Sequence, residues 1–235
     1  MDFSNYIENQ ENYFRNGNTL PISKRKKLLK NLKKEILSNE DKIFQALNND
    51  LRKSNYETYL TEIGILISEI DLFLSNLKKW AKPKKVKSSL LSFPSSDYIY
   101  SEPYGKVLII SPWNYPFQLA VLPLMSAVAA GNTVVLKPSE HAPNTSSLIK
   151  EIIEKIFDKS HALVVEGAAE TASKLLEYRW DYIFFTGSVK IGKIVATAAA
   201  KHLTPTTLEL GGKNPCIIDD SVDLRLTSRR IVWGK

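Results

Sequence analysis

The stretch KVLIISPWNYPFQLAVLPLMSAVAAGNTVVLKPSE, residues 106–140, decides the fold. It holds two short apolar runs, KVLIIS (106–111) and NTVVLK (132–137), on either side of a helical stretch at 117–130. Similar runs follow at intervals of roughly 20–30 residues, the length of a βα unit: ALVVEG (162–167), YIFFTG (182–187) and TPTTLEL (204–210), with helical stretches at 144–157, 168–178 and 188–202. Uninterrupted apolar strands suit a parallel sheet that is covered on both faces. The sequence therefore predicts an α/β fold with a doubly wound parallel sheet.

The residues before this sheet have the pattern of helices. Within residues 1–80, one apolar series alternates three and four positions apart: Leu60, Ile63, Ile67, Ile70, Leu74 and Leu77. Such a seam is typical of a helix that faces a core, with a coiled coil as the alternative. After Pro83, the segment SDYIYSEPYG (96–105) alternates loosely. It predicts an extended hairpin strand that stays exposed unless it pairs with another chain.

The composition excludes several classes of protein. The chain has 235 residues, of which 43% are hydrophobic and 24% are charged. These values exclude a disordered chain, a collagen-like repeat and a disulfide-stapled miniprotein. The one cysteine, Cys216, cannot form an internal disulfide, which fits a reducing compartment. The N-terminus lacks a signal-peptide pattern, and no apolar stretch reaches membrane-spanning length. We therefore expect a soluble, cytoplasmic protein with no membrane partner.

The net charge of +7 permits an anionic partner without naming one. Much of the excess lies in two basic runs, residues 23–34 and 78–87. In the first run, leucine and isoleucine recur at helical spacing, so the basic residues fall on the opposite, solvated face of a helix. Nucleic-acid binding is the alternative, but it needs interleaved aromatic residues or a known module, and neither is present. We expect no nucleic-acid partner.

Polar residues follow the first two strands, at the sheet edge where α/β proteins bind ligands. After the first strand, Asn114 lies between Trp113 and Tyr115. Its amide can donate to a developing oxyanion or can form an Asx turn. After the second strand, Lys137 and Glu140 can hold ribose hydroxyls, or they can form a surface ion pair.

Glycines mark the ends of the fourth and fifth strands. In TGSVKIGK (186–193), Gly187 allows a tight turn, and Ser188 either caps the next helix or opens a phosphate site at its N-terminus. The spacing G-S-x-x-x-G differs from the ordinary dinucleotide fingerprint. After the fifth strand, Glu209 is either a general base in a semi-buried cleft or a solvent-facing residue. Gly211 lets backbone or cofactor approach closely.

Four segments, in this order and spacing, closely resemble the aldehyde dehydrogenase superfamily: SPWNYPF (111–117), AAGNTVVLKPSEHAPNTS (129–146), FFTGSVKIGK (184–193) and TLELGGKNP (207–215). The stretch EPYGKVLIISPWNYP (102–116) is similar to the class 3 branch, which includes fatty-aldehyde and coniferyl-aldehyde dehydrogenases. The resemblance implies a Rossmann-like fold in four parts: N-terminal helices (1–80), oligomerisation strands (81–104), an NAD-binding core (105–210) and the start of a catalytic domain (211–235).

The resemblance implies NAD(P)-dependent oxidation of an aldehyde to a carboxylic acid through a cysteine thioester. Asn114 matches the asparagine that stabilises the oxyanion, and Glu209 matches the glutamate that activates water to hydrolyse the thioester. The family's nucleophile lies in an F-x-N-x-G-Q-x-C pattern after a W-G-K-like segment, which places it beyond Lys235. Cys216 is not that residue, and we expect it to be a small buried side chain in an apolar strand.

The resemblance also implies six cofactor-binding positions: Trp113, Lys137, Glu140, Gly187, Ser188 and Gly211. Lys137 and Glu140 match the residues that hold the adenosine ribose, and Gly187 and Ser188 match the turn that faces the pyrophosphate. A carboxylate at Glu140 repels a 2′-phosphate, so we expect NAD to be preferred and NADP to be tolerated. We expect no metal site, a small-molecule aldehyde as substrate and a homodimer for the full-length form.

Three interpretations of the chain remain. It is a shortened class 3-like enzyme, a non-catalytic NAD-binding remnant or fragment, or a basic interaction protein that uses its lysine-rich helices. Because the nucleophile is expected beyond Lys235, the polypeptide as written is expected to oxidise no aldehyde. The coding region beyond Lys235 separates the first two interpretations, since only an in-frame continuation with the cysteine pattern restores the enzyme.

Overall fold

The computed structural model describes residues 2–234, and the first third of the chain is helical as predicted. The helices are α1 (Ser4–Arg15), α2 (Ile22–Ser38), α3 (Glu40–Leu51), α4 (Asn55–Thr58) and α5 (Gly64–Trp80). A π-helical turn, Tyr59–Ile63, joins α4 to α5. The wider turn breaks the helical period, and the predicted apolar seam is wrong at Leu60, which lies in this turn and is exposed. Further along the seam, Ile63, Ile70 and Leu77 are buried.

A short antiparallel hairpin follows the helices and confirms the predicted extended segment. It consists of β1 (Lys84–Val86) and β2 (Asp97–Ile99). The connection between the strands presents apolar side chains to solvent, with Leu90 91% exposed, Leu91 98% and Phe93 83%. The hairpin therefore has an apolar tip that no described residue covers.

The centre of the structure is a five-stranded parallel sheet, which confirms the doubly wound α/β fold. Its strands and helices alternate along the chain: β3 (Lys106–Ile110), α6 (Gln118–Ala130), β4 (Thr133–Lys137), α7 (Pro143–Ile156), β5 (Ala162–Val164), α8 (Ala169–Leu175), β6 (Tyr182–Gly187), α9 (Val189–Ala200) and β7 (Thr206–Leu210). The strand order is β5-β4-β3-β6-β7, so the order reverses between β3 and β6. None of the helices in residues 2–234 has the length and hydropathy needed to cross a lipid bilayer.

Two hydrophobic cores lie on opposite faces of this sheet. Alternate side chains of a strand point to opposite faces. Val107 and Ile109 of β3 therefore belong to the core that includes residues of α2, α3, α5, α6 and α7, whereas Leu108 and Ile110 belong to the core that includes residues of α1, α8 and α9. Because both faces of β3 are covered, its run is apolar throughout, as the sequence indicated.

Arg25 of α2 fixes the C-terminal end of α6. Its guanidinium Nη1 donates to the carbonyl oxygens of Ala129 and Ala130, each at 3.2 Å, and its Nε donates to the carbonyl of Thr19 at 2.8 Å. A cation at this end of a helix complements the helix dipole. The prediction that the basic face of α2 is solvated is therefore wrong at Arg25, which is only 7% exposed. A side chain at Gly131 would collide with this guanidinium.

Asp50 of α3 caps the opposite kind of helix end, the N-terminus of α7. Its carboxylate accepts hydrogen bonds from the backbone N–H of Asn144 at 3.2 Å and of Thr145 at 2.8 Å. These amides lie in the first turn of α7, where no carbonyl of the helix can accept from them. The N-terminal helices thus supply charged groups that fit the helix ends of the sheet layer.

The segment after β7 has no regular secondary structure until α10 (Leu224–Gly234). The prediction that Cys216 lies buried in an apolar strand is wrong, because Cys216 is exposed and its neighbour Ile217 is 88% exposed. Pro215 has no N–H to donate to a strand ladder, and no described residue covers this segment. The division of the chain into four parts stays a prediction.

His161, just before β5, is a buried imidazole without a hydrogen bond at one nitrogen. Its ring packs against Tyr13 and Phe157, with centroids 5.4 and 5.5 Å away. Its Nε2 has no hydrogen-bond partner within residues 2–234. Burial, assisted by the nearby charge of Lys24, lowers the pKa of His161 from 6.5 to about 4.

We expect this histidine to make the fold sensitive to acid. Between pH 6.5 and about 4, the unfolded chain binds a proton that the folded chain excludes, so stability falls as the pH falls. The shift corresponds to about 3 kcal/mol, lost progressively from pH 6.5 down to the folded pKa. Urea unfolding is measured at neutral pH and near pH 4. Between these two conditions, the free energy of unfolding of wild type should fall by about 3 kcal/mol more than that of His161→Leu. Equal losses would contradict the assignment, and His202→Leu, at an exposed position, is the control.

Candidate functional site

A groove of about 1300 Å³ runs along the sheet beside α6 and reaches the carboxyl ends of β3, β6 and β7. Six of the eight predicted site residues line it: Trp113, Asn114, Gly187, Ser188, Glu209 and Gly211. Much of the remaining lining is apolar and comes from α6 and from the sheet, including Leu122, Pro123, Ile109 and Phe184. The groove lies where the strand order reverses between β3 and β6, which is the position at which open parallel sheets bind ligands.

Residues 111–117, here called the Asn114 loop, form one wall of the groove. Asn114 is exposed, and its side-chain amide makes no hydrogen bond to any residue in the range 2–234. In the alternative of an Asx turn, the Asn114 side chain would accept a local backbone hydrogen bond. Within residues 2–234, Asn114 makes no such bond. The amide is therefore available to a ligand in the groove. Trp113, which precedes it, is 52% exposed.

Lys137 and Glu140 lie one strand away from the Asn114 loop, at the end of β4. The backbone N–H of Ser111 donates to the carbonyl of Lys137 at 3.1 Å, which joins the start of the loop to this strand. The ammonium of Lys137 is 2.5 Å from the Glu140 carboxylate, so the two residues form an ion pair in which Lys137 is the buried member. Burial raises the pKa of Glu140, but the hydrogen bond from Lys137 and its charge outweigh burial and lower it overall.

The end of β6 leads directly into the N-terminus of α9. Ser188 is the N-cap of this helix, with its hydroxyl oxygen accepting from the N–H of Ile191 at 3.3 Å. A Cβ on Gly187 would lie 2.6 Å from Cζ of Phe185. Gly187 does not have a positive φ, so its backbone conformation does not require glycine, and the position is restricted by the space beside Phe185. The N-terminus of α9 therefore begins at the groove, where helix amides attract anions.

The end of β7 forms the opposite wall. Glu209 pairs with Thr186 in the ladder between β6 and β7, and its carboxylate is exposed at the groove. A Cβ on Gly211 would meet no described atom within 4 Å, so the space beside this residue is open. The described residues contain no group of three or more His, Cys, Asp or Glu that could hold a metal ion.

The sequence did not reveal two charged residues behind the Asn114 loop. Glu62, in the π-helical turn, is fully buried, and Lys53, before α4, is 7% exposed. The Glu62 carboxylate accepts from the backbone N–H of Phe117 at 2.9 Å and of Gln118 at 3.1 Å. The one sequence signal was that Glu62 adjoins Ile63 of the apolar seam, a place where a carboxylate is unexpected.

The parallel sheet, its reversed strand order and the groove at that reversal define a Rossmann-like α/β domain. A model of the aldehyde dehydrogenase family matches residues 1–235. The chain therefore belongs to the aldehyde dehydrogenase family.

Three similar proteins illustrate the relationship. Aldehyde dehydrogenase family 3 comG of Dictyostelium discoideum is 48% identical over 229 residues, which are 97% of this chain and 49% of that protein. The substrate-bound structure of Staphylococcus aureus AldH superposes with a TM-score of 0.93 at 45% identity, covering 100% of this chain and 51% of that one. The Mycobacterium tuberculosis aldehyde dehydrogenase complexed with NAD+ superposes with a TM-score of 0.79 at 28% identity. The match covers 93% of this chain and 45% of that one. The chain thus spans about half the length of these relatives.

The two site glycines should respond differently to an added methyl group. We expect Gly187→Ala to lower the free energy of unfolding by about 1–3 kcal/mol, because its Cβ collides with the buried ring of Phe185. The matched variant Gly211→Ala places its Cβ in open space and should change stability by no more than about 0.5 kcal/mol. Chemical denaturation of both variants measures the difference, and equal effects would show that Gly187 has more room than the geometry indicates.

Proposed function

We propose that this chain is the cofactor-binding half of an NAD-dependent aldehyde dehydrogenase. The observation that carries the proposal is the groove at the reversal of strand order, where residues from three strand ends meet. Membership of the family and the relative solved with NAD+ support it. When bound, NAD would supply the hydride acceptor for the oxidation of a small-molecule aldehyde to a carboxylic acid.

One part of the groove, and one pair of residues at the neighbouring strand end, fit a dinucleotide. Gly187 and Ser188 open α9, whose N-terminal amides and dipole would face the pyrophosphate. Lys137, held immobile by burial, and the exposed Glu140 would bind the adenosine ribose hydroxyls. Trp113 and Gly211 fit the nicotinamide end of the cofactor, which needs a flat surface beside it and room to approach the backbone.

Trp113 would supply that wall beside the cofactor, and the open space at Gly211 would admit the nicotinamide. In the same groove, the Asn114 amide would donate a hydrogen bond to the aldehyde oxygen as negative charge develops on it. Glu209 would take a proton from the water that hydrolyses the thioester. The cysteine nucleophile would be supplied from beyond Lys235, since the exposed Cys216 lies outside the groove lining.

The hairpin supports a further part of the proposal, a homodimer of the full-length form. Its apolar tip, with Leu90, Leu91 and Phe93, is exposed. Strands β1 and β2 form a two-stranded sheet with unpaired edges. An exposed strand edge beside apolar side chains is a template for pairing with a second copy.

Binding of NAD to the 235-residue chain tests the cofactor proposal. We expect NAD to bind more tightly than NADP, because the Glu140 carboxylate repels a 2′-phosphate. Lys137→Met should weaken NAD binding about tenfold or more, since a charge-assisted hydrogen bond to the ribose is lost. Titration calorimetry measures both effects. Lys150→Met, which breaks an ion pair with Glu166 on the surface of α7, is the control. Tighter binding of NADP, or unchanged affinity in Lys137→Met, would contradict the assignment.

Glu209→Gln tests the proposed role in hydrolysis, in a form that continues past Lys235 to the nucleophile. An amide cannot take a proton from water, so hydride transfer should proceed and thioester hydrolysis should slow. Rapid mixing should show a burst of NADH followed by a depressed steady state. A steady state equal to that of wild type would mean that another group activates water, and Glu170→Gln on α8 is the matched control.

A further inference from the structure

Lys53 and Glu62 form a buried ion pair behind the groove, and neither residue lines it. The ammonium Nζ of Lys53 lies 2.5 Å from Oε1 of Glu62, and the two side chains are 8% and 0% exposed. Removing two charges from water costs several kcal/mol per ion, so such a pair persists only when further contacts satisfy it. Those contacts identify the part of the molecule that the pair stabilises.

Both members of the pair contact the end of the Asn114 loop. Oε2 of Glu62 accepts from the N–H of Phe117 at 2.9 Å and of Gln118 at 3.1 Å, where α6 begins. The ammonium of Lys53 lies 4.0 Å from the centroid of the Tyr115 ring, within the range of a cation–π contact. The pair therefore holds the residue directly after Asn114 and the turn that follows.

The other end of the Asn114 loop is held by the sheet, through the hydrogen bond from Ser111 to the carbonyl of Lys137. Pro112 and Pro116 restrict the backbone between the two anchors. Asn114 lies midway, with no side-chain hydrogen bond of its own within residues 2–234. Its position in the groove therefore depends on the anchors at either end.

We propose that Glu62, oriented by Lys53, is a positioning residue that holds Asn114 in the groove. The inference rests on the proposed function, in which the Asn114 amide meets the developing oxyanion. Hydrogen bonds of this kind contribute only if the donor is fixed near the place where charge develops. Glu62 acts at a distance by fixing the first turn of α6, and it touches neither cofactor nor substrate.

The test uses Glu62→Gln, with Asp50→Asn as its matched control. Asp50 also accepts from two backbone amides at a helix start, but that helix is α7, away from the Asn114 loop. Amide hydrogen exchange should rise at least tenfold over residues 111–119 in Glu62→Gln and stay at the wild-type rate there in Asp50→Asn. Asp50→Asn should instead raise exchange over residues 143–147.

A second readout follows Asn114 itself. The side-chain amide signal of Asn114 in a nitrogen-15 NMR spectrum, assigned by its loss in Asn114→Ser, should broaden or split in Glu62→Gln. It should be unchanged in Asp50→Asn. If Glu62 contributed only to overall stability, the Asn114 signal would respond in the same way to Glu62→Gln and to Asp50→Asn.

Glu62→Gln leaves the Lys53 ammonium buried without its partner, so the double variant Lys53→Met/Glu62→Gln is measured beside it. The double variant contains no unpaired buried charge, and its neutral amide oxygen accepts more weakly than a carboxylate. We expect faster exchange over residues 111–119 here too. Wild-type exchange and a wild-type Asn114 signal in either folded variant would overturn the inference.

Both readouts are made without cofactor. If wild type fails to bind NAD while Glu62→Gln still loosens the Asn114 loop, the proposed function fails and the coupling between Glu62 and the loop stands. If NAD binds and the loop is unaffected, the positioning role fails and the proposed function stands.

Discussion

The polar contacts at the two ends of α6 are the constraint on which the groove depends. This helix is apolar around its whole circumference, so burial alone does not select its rotation or its position along the sheet. Glu62 accepts from its first amides, and Arg25 donates to its last carbonyls. The opposite charges match the two poles of the helix dipole, which disfavours the reversed arrangement. One wall of the groove and the Asn114 loop follow from the placement of this helix.

These contacts specify position more than they add stability. A hydrogen bond to a charged group contributes about 1.5–3 kcal/mol, and the cost of burying the charge is of similar or larger size. The apolar contacts of the two cores supply the main driving force, because they remove large side chains from water on both faces of the sheet. The charged groups of the N-terminal helices then select one arrangement among those that burial would allow.

Local patterns explain what could be predicted from the sequence. The strands were found because a buried parallel strand is apolar at every position, as in KVLII and TVVLK. Leu60 was misplaced because the π-helical turn changes the helical period without a mark in the sequence. Arg25 and Glu62 were missed because each acts on a helix distant in the chain, and side chains of their types are usually solvated. Cys216 was misplaced because an apolar run predicts burial only where other residues cover it.

Two lysine–glutamate pairs near the groove show how burial decides what an ion pair does. In the pair of Lys53 and Glu62, the carboxylate is the fully buried member, and its oxygens are used by backbone amides and the ammonium. That carboxylate has a structural role, and because it is fully buried a ligand cannot reach it. In the pair of Lys137 and Glu140, the lysine is the buried member, and the carboxylate keeps 33% of its surface exposed. The lysine holds the carboxylate on one side, and the exposed part of the carboxylate is left free to accept hydrogen bonds from hydroxyl donors.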